Sequence, residues 1–280
     1  MILGKMRAKH DNSLEKSIET SSGNVVYTLF QDSQPVEMNA YLGEPITLRF
    51  SGTISCIHCG RKIRKSYSQG YCYPCCRKLA QCDLCILKPE TCHYHAGTCR
   101  EPEWGEKHCM RDHFVYIANS SGLKVGLTRA TQIPARWMDQ GAIQAIPVYK
   151  TKTRYQAGLL EVTIGKAVSD KTNWRKMLKG EVEQLDMQAE AAELLNRTVD
   201  DIEALSKSLG ENQIEPCYEN RVYEFNYPVL TYPTKIKSLN FDKQPEVSGT
   251  LLGIKGQYLI LDSGVLNIRK FTGYDVELYV

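Results

Sequence analysis

The chain has 280 residues, 42% apolar and 24% charged, ordinary globular values that exclude whole-chain disorder, collagen and coiled coil. A net charge of +3 advertises no nucleic-acid partner. Cysteine is the exception: of 11 in the chain, all but Cys217 fall between Cys56 and Cys109. The N-terminal stretch MILGKMRAKHDNSLEKS carries no hydrophobic signal core. No window approaches the roughly 20 apolar residues of a membrane helix. These features predict a cytoplasmic protein. In that reducing compartment clustered cysteines are metal ligands rather than disulfides.

The elements in chain order predict an α+β protein. Residues 1–23 read as a polar leader. Val25–Phe30 and Ile46–Ile54 read as strands, punctuated by Gly43, Pro45 and Gly52. Together residues 1–54 form a first unit whose strands are able to join a C-terminal barrel. Residues 55–113 are the cysteine region, with two metal sites. Residues 114–215 hold a strand–strand–helix–strand–helix unit and an acidic helical extension. Residues 216–280 show short strands separated by Gly249, Gly253, Gly256, Gly264 and Gly273, the pattern of a small OB- or SH3-like β-barrel.

The strongest motif is Cys56-x2-Cys59 followed by Cys72-x2-Cys75. Each CxxC turn brings two thiolates to one side of a metal, and two such knuckles complete a tetrahedron. Four soft thiolates suit structural zinc, with an iron–sulfur cluster as the lesser alternative. A second zinc is expected on Cys82, Cys85, Cys99 and Cys109, with Cys92, His93 and His113 as substitutes. Closed four-ligand sites hold structure and perform no chemistry. They do present Arg61, Lys62, Arg64, Lys65, Arg77 and Lys78 on a rigid scaffold suited to phosphate contact.

Charge is unevenly spread. Residues 181–215 hold ten acidic residues against Arg197 and Lys207, a local −8, so the rest of the chain carries +11. A basic surface is therefore compatible with the small total. On the C-terminal strands Lys255, Tyr258, Arg269 and Lys270 read as exposed, and Lys255 and Arg269 are candidate nucleic-acid contacts.

Between the cysteines and the acidic helices, Phe114–Ala118 reads as a strand and Asn119–Gly122 as a hairpin turn. Leu123–Thr128 is the returning strand, Ile133–Gln140 a helix, Ala142–Thr151 a third strand and Arg154–Val168 a second helix. This ββαβα segment, about residues 113–173, resembles the GIY-YIG endonucleases. Phe114-Val115-Tyr116 stands at the first signature tripeptide. Lys124-Val125-Gly126 stands at the second, with lysine replacing tyrosine. Arg136, Glu161 and Asn173 fall where that family has its helix arginine, metal-binding glutamate and following asparagine. The resemblance implies a catalytic set of Tyr116, Lys124, Arg136, Glu161 and Asn173, with Mg²⁺ or Mn²⁺ at Glu161 and DNA or RNA as substrate. The whole chain also resembles an uncharacterised bacterial protein family that pairs N-terminal cysteine knuckles with this segment, and no activity carries over from it.

Such a set makes chemical sense. A divalent cation neutralises charge that develops on a phosphodiester, an arginine clamps phosphate bidentately, and a tyrosine orients or deprotonates the attacking water. Bland readings of the same residues are a core tyrosine, a bulge glycine, a surface Arg136–Trp137 pair and an exposed Glu161. The expected function is accordingly a nucleic-acid-binding zinc protein with Mg²⁺-dependent endonuclease activity. Alternatives are a non-catalytic binding module on the same fold, favoured by Lys124, and a zinc or redox sensor built on the surplus ligands between Cys92 and Cys99. No small-molecule cofactor motif is evident.

Overall fold

A computed structural model describes residues 3–4, 6–11, 20–31, 34–168, 173–217 and 221–280. The chain opens with β1 (Arg7–Asp11), β2 (Thr20–Gln31), β3 (Gln34–Glu37), β4 (Pro45–Ser55) and β5 (Lys62–Ile63). The cysteine region follows, with α1 (Tyr73–Lys78), a series of 3-10 turns and α2 (Pro102–His108). Next come β6 (His113–Asn119), β7 (Leu123–Arg129), α3 (Ala135–Asp139), β8 (Gln144–Thr151) and α4 (Arg154–Gly165). The acidic stretch contributes α5 (Trp174–Leu178), α6 (Met187–Arg197) and α7 (Val199–Leu209). The chain closes with β9 (Ile214–Pro216), β10 (Val222–Asn226), β11 (Glu246–Lys255), β12 (Tyr258–Leu261), β13 (Gly264–Asn267), a 3-10 turn at Ile268–Phe271 and β14 (Tyr274–Tyr279).

The strands build two curled sheets. The first runs β1-β2-β10-β8-β6-β7, with β3 added to β2 and β9 to β8. The second runs β13-β12-β11-β4-β14, with β5 added to β4. Every pair in the second sheet is antiparallel. Its path leaves β13 and β14 as ends, so among the described residues it is curled rather than closed by a strand pair. β4 shows why it sits there: Ile46 and Leu48 point inward while Pro45, Thr47 and Arg49 alternate toward solvent.

The N-terminal part of the chain departs from the sequence-based expectation in two ways. Leu3 and Met6 are fully buried, and β1 and the start of β2 lie within residues 1–23, so the described part of that stretch is not merely a polar leader. The early strands also divide: β4 joins the C-terminal sheet, whereas β2 pairs in parallel with β10 in the first sheet. Residues 169–172 of the 114–215 unit and residues 218–220 of the 216–280 unit lie outside the described residues. The helices that follow residue 172 break at Gly180, whose φ of +71° suits only glycine comfortably.

One core lies between the two sheets. It joins Tyr27, Tyr116, Trp137 and Phe225 to Ile46, Leu48, Leu251 and Phe271. The opposite face of the first sheet carries a second core, in which Val115, Ile117 and Ile146 pack on Ala157, Leu160 and Ile164 of α4 and on Met187, Ala191 and Leu194 of α6. Those helix positions recur at three- and four-residue spacing, the signature of one apolar stripe. α4 starts cleanly because Thr153 and Gln156 form a reciprocal capping box. Among the described residues no helix is long and apolar enough to cross a membrane.

Candidate metal centre and basic cleft

Cys56 follows directly on β4, and Cys72 is the N-cap of α1. The chain returns on itself between them: Cys56 N–H donates to the Arg61 carbonyl (2.8 Å), Gly60 N–H to the Cys56 carbonyl (2.8 Å) and Ile57 N–H to the Gly70 carbonyl (2.9 Å). Gly70 has φ +125° and lies against Ile57 and Thr272, leaving no room for a side chain. The result is that the sulfurs of Cys56, Cys59, Cys72 and Cys75 all lie within 4.8 Å of one another. Burial opposes ionisation of Cys56, but N–H groups of Cys59, Cys72 and His58 outweigh it and bring this thiol down to about 6. Sharing of hydrogen bonds with Cys72, Cys59 and Cys56, together with burial, pushes Cys75 up to about 12. Four thiols so arranged could hold a metal such as zinc. All eleven cysteines are free thiols.

The expected second set is not brought together as written. Burial and the adjacent Cys76 push the Cys82 thiol up to about 12, and Cys82 sits beside Cys76 and Ser68. The Ser68 hydroxyl is 3.3 Å from the Cys76 sulfur. Cys85, Cys99 and Cys109 instead line a small cavity with Cys92, beside Asp83 and His93. His113 is not part of that lining. It is fully buried at the start of β6, its Nδ1 donating to the Arg111 carbonyl at 2.7 Å.

Tyr116 and Gly126 are cross-strand partners on β6 and β7, and Ala118 faces Lys124 two residues along. Tyr116 is fully buried, donates its hydroxyl to Gln140 Oε1 at 3.0 Å and meets the Trp137 ring edge-on. Burial raises its pKa, the adjacent Arg136 guanidinium opposes this, and the Glu161 carboxylate adds to it. Arg154, at the start of α4, donates to the Ile86 carbonyl at 2.8 Å. Burial lowers its pKa; Arg136 pushes the same way, and Glu161 resists. The charges of Arg136 and Glu161 thus both act on Tyr116 and on Arg154.

Lys124 lies on Tyr116's face of the sheet, toward the hairpin. Asn173 does not join the group: it caps α5, its Oδ1 accepting from Arg175 N–H (3.1 Å) and Lys176 N–H (3.4 Å). Gly126 accommodates no bulge of its own; it leaves room for the Tyr116 ring. Trp137 is buried among Tyr116, Tyr223 and Phe225 rather than paired with Arg136 on the surface.

The predicted basic contacts separate into three kinds. Arg61, Lys62, Arg64 and Lys65 are exposed around the first cysteine tetrad. Arg269 is half-buried on the 3-10 turn after β13 and donates from Nε to Gln69 Oε1 at 2.7 Å. Burial lowers its pKa, the charge of Arg136 adds to that and the Asp139 carboxylate resists, so Arg136 and Asp139 are both near Arg269. Arg269 also lines a cleft of about 490 Å³ with Lys65, Ser66, Gln69, Asn267, Lys270, Asp242 and Tyr274.

Lys255 is a correction. It is 1% exposed, with its ammonium 5.3 Å from each of the Tyr227 and Tyr232 ring centres. Tyr258 is likewise covered, stacked on Trp174 of α5. The alternation of β11 and β12 suggested outward side chains, but Tyr227, Tyr232 and α5 cover that face.

Sequence reasoning missed Cys92 as a full member of the second cavity and Arg154 as a member of the Tyr116 group. The second had a signal: Arg154 and Glu161 are seven residues apart on one helix, hence on one face.

The fold and the cysteine tetrad define a mixed α+β protein of two curled sheets, with a cysteine ribbon that could hold a metal grown from one of them. The chain belongs to the DUF2797 family, described as a protein of unknown function, whose model matches residues 43–276. That span runs from just before β4 into β14 and contains the tetrad, the second cavity and the Tyr116 group. No curated protein and no solved structure matches the chain.

Proposed function

We propose that this protein binds DNA or RNA through phosphate contacts, on a GIY-YIG-like unit braced by a zinc-bound cysteine ribbon. The order β6, β7, α3, β8, α4 and the residues Tyr116, Gly126, Arg136 and Glu161 on it support the likeness. The observation that carries the reading is the approach of Arg136, from α3, to Arg269, from the other sheet. Asp139 offsets part of the repulsion between these two guanidinium groups, and phosphate is a further anion whose geometry their planar forks match. Lys65 and Lys270 extend the same charge along the cleft. The reading is tested by fluorescence anisotropy with single-stranded, duplex and branched DNA and RNA over a salt series. Binding that weakens linearly with log salt supports it. No binding at low salt to any of them overturns it.

A second reading, Mg²⁺- or Mn²⁺-dependent phosphodiester cleavage at Glu161, is favoured by the proximity of Glu161, Arg136 and Tyr116. Glu161 would supply a carboxylate to the cation and Arg136 would hold the phosphate. The buried Tyr116 hydroxyl, already bound to Gln140, and the lysine at position 124 count against direct proton transfer. Cleavage of a labelled branched duplex that requires Mg²⁺ and is lost in Glu161→Ala supports this reading. Binding without cleavage leaves only the first.

A further inference from the structure

Residues 80–112, all described, fold with almost nothing to bury. They contain no strand, and only Ala80, Pro89, Gly105 and Cys109 are buried. The segment is a chain of four 3-10 turns, Ala80–Cys82, Leu84–Ile86, Pro89–Thr91 and Tyr94–Ala96, followed by α2. So little apolar burial does not offset the entropy of ordering such a stretch. Something else cross-links it.

Four successive pieces of the segment each bring one cysteine to the wall of a single cavity. Cys85 lies in the second turn, Cys92 is the C-cap of the third, Cys99 follows the fourth and Cys109 is the C-cap of α2. All four line one cavity of about 20 Å³, a space on the scale of a single small atom or water. α2 reaches it through Gly105, where a Cβ would stand 3.4 Å from the Cys99 sulfur. The charges of Asp83, Cys92, Cys109 and Cys99 all act on the Cys85 thiol.

Asp83 and His93 also approach Cys85 within 4.8 Å, but both are engaged. Asp83 accepts from Arg100 Nε at 2.8 Å and Leu84 N–H at 2.6 Å, and His93 uses both ring nitrogens, Nδ1 lying 2.7 Å from the Thr98 hydroxyl and Nε2 3.4 Å from Asp83 Oδ2.

We infer that Cys85, Cys92, Cys99 and Cys109 form a second metal site that binds zinc through four thiolates, with Asp83 and His93 bracing its rim. Soft sulfur donors in a closed four-ligand set select zinc. Binding would tie three turns and α2 to one point and so supply the folding free energy that the segment lacks. The site also reaches the Tyr116 group. Pro89 and Glu90 pack on Gly158 of α4 so closely that a Cβ there would lie 2.6 Å from the Glu90 nitrogen, and Ile86 receives the Arg154 hydrogen bond. The inference stands whether or not the protein binds nucleic acid.

The test is metal content of the full chain purified from zinc-supplemented cells. Two zinc ions per chain are expected in the wild type and in Cys82→Ser and His93→Ala. One is expected in Cys92→Ser, and one in Cys72→Ser, which reports on the first tetrad separately. One zinc in the wild type, or two retained in Cys92→Ser, or loss in His93→Ala, overturns the site. If Cys92→Ser fails to fold, cadmium-113 NMR of the substituted wild type decides: two resonances in the four-sulfur range are expected, and a second resonance in a mixed-donor range refutes the ligand set.

Discussion

The phenol of Tyr116 lies so close over the Cα of Gly126 that a methyl group on that glycine would stand 2.6 Å from both Cζ and the hydroxyl oxygen. The ring cannot retreat, because Trp137 backs it and Gln140 holds its hydroxyl. Gly126→Ala is therefore expected to destabilise the fold by about 1–3 kcal/mol through overpacking, measured by urea denaturation. Tyr116→Phe, which removes only the hydrogen bond, should cost about 1 kcal/mol. An unchanged denaturation midpoint for Gly126→Ala would mean that Tyr116 is free to move, contrary to the packing described.

Charge placement makes a second prediction about nucleic-acid binding. Removing one phosphate-binding cation lowers the salt slope by about 1. Arg136→Gln and Arg269→Gln are each expected to do so, since Arg269 lines the cleft and the charge of Arg136 acts on it. Lys255→Met should leave both affinity and slope unchanged, because its ammonium is enclosed by two tyrosine rings. If Lys255→Met weakens binding as much as Arg269→Gln, the cleft is wrongly located.

These outcomes depend on residues that the sequence revealed unevenly. The CxxC pairs were legible because a metal ligand set is fixed by local spacing, and the tetrad forms from those four residues. Strands such as β4 and β11 were legible from alternation. The second cysteine group was not, because its members come from three separate turns and a helix end with no short motif; spacing favoured Cys82 over Cys92, and tertiary packing placed Cys82 beside Cys76. The burial of Lys255 was equally hidden. Its covering tyrosines lie 28 and 23 residues earlier in the chain, and the parallel pairing of β2 with β10 spans 202 residues, beyond any local pattern.

His113 gives an acid-side prediction. It is buried, and burial together with the charges of Arg154, Arg129 and Arg111 brings its pKa down to about 4, the hydrogen bond to the Arg111 carbonyl resisting. In the unfolded chain the ring titrates near 6.5. Between these values the unfolded state binds the extra proton, so folding stability is full above about 6.5 and falls as pH drops toward 4. The loss attributable to this ring is up to about 3 kcal/mol. His113→Gln should flatten the stability profile within that window while leaving the lower-pH limb, to which Asp112 and Glu215 contribute through their lysine partners. An unchanged slope between pH 6.5 and 4 would rule out His113 as its source.

Lys255 makes the opposite end of the pH range informative. Burial lowers its pKa to about 8, against about 10.4 in an unfolded chain. Below 8 the native state holds a buried ammonium; between 8 and 10.4 the native lysine is neutral while the unfolded one is still charged, so stability rises with pH there. Lys255→Met keeps the side-chain volume and removes the charge. The gain at pH 7 is up to about 3 kcal/mol from relief of desolvation, less about 1 kcal/mol for the cation–ring attraction that disappears with the ammonium. Thermal melts should show the variant ahead of wild type at pH 7, with the difference narrowing by pH 10. A variant less stable than wild type at pH 7, by the same margin at pH 10, would mean that the two rings stabilise the ammonium by more than its burial costs.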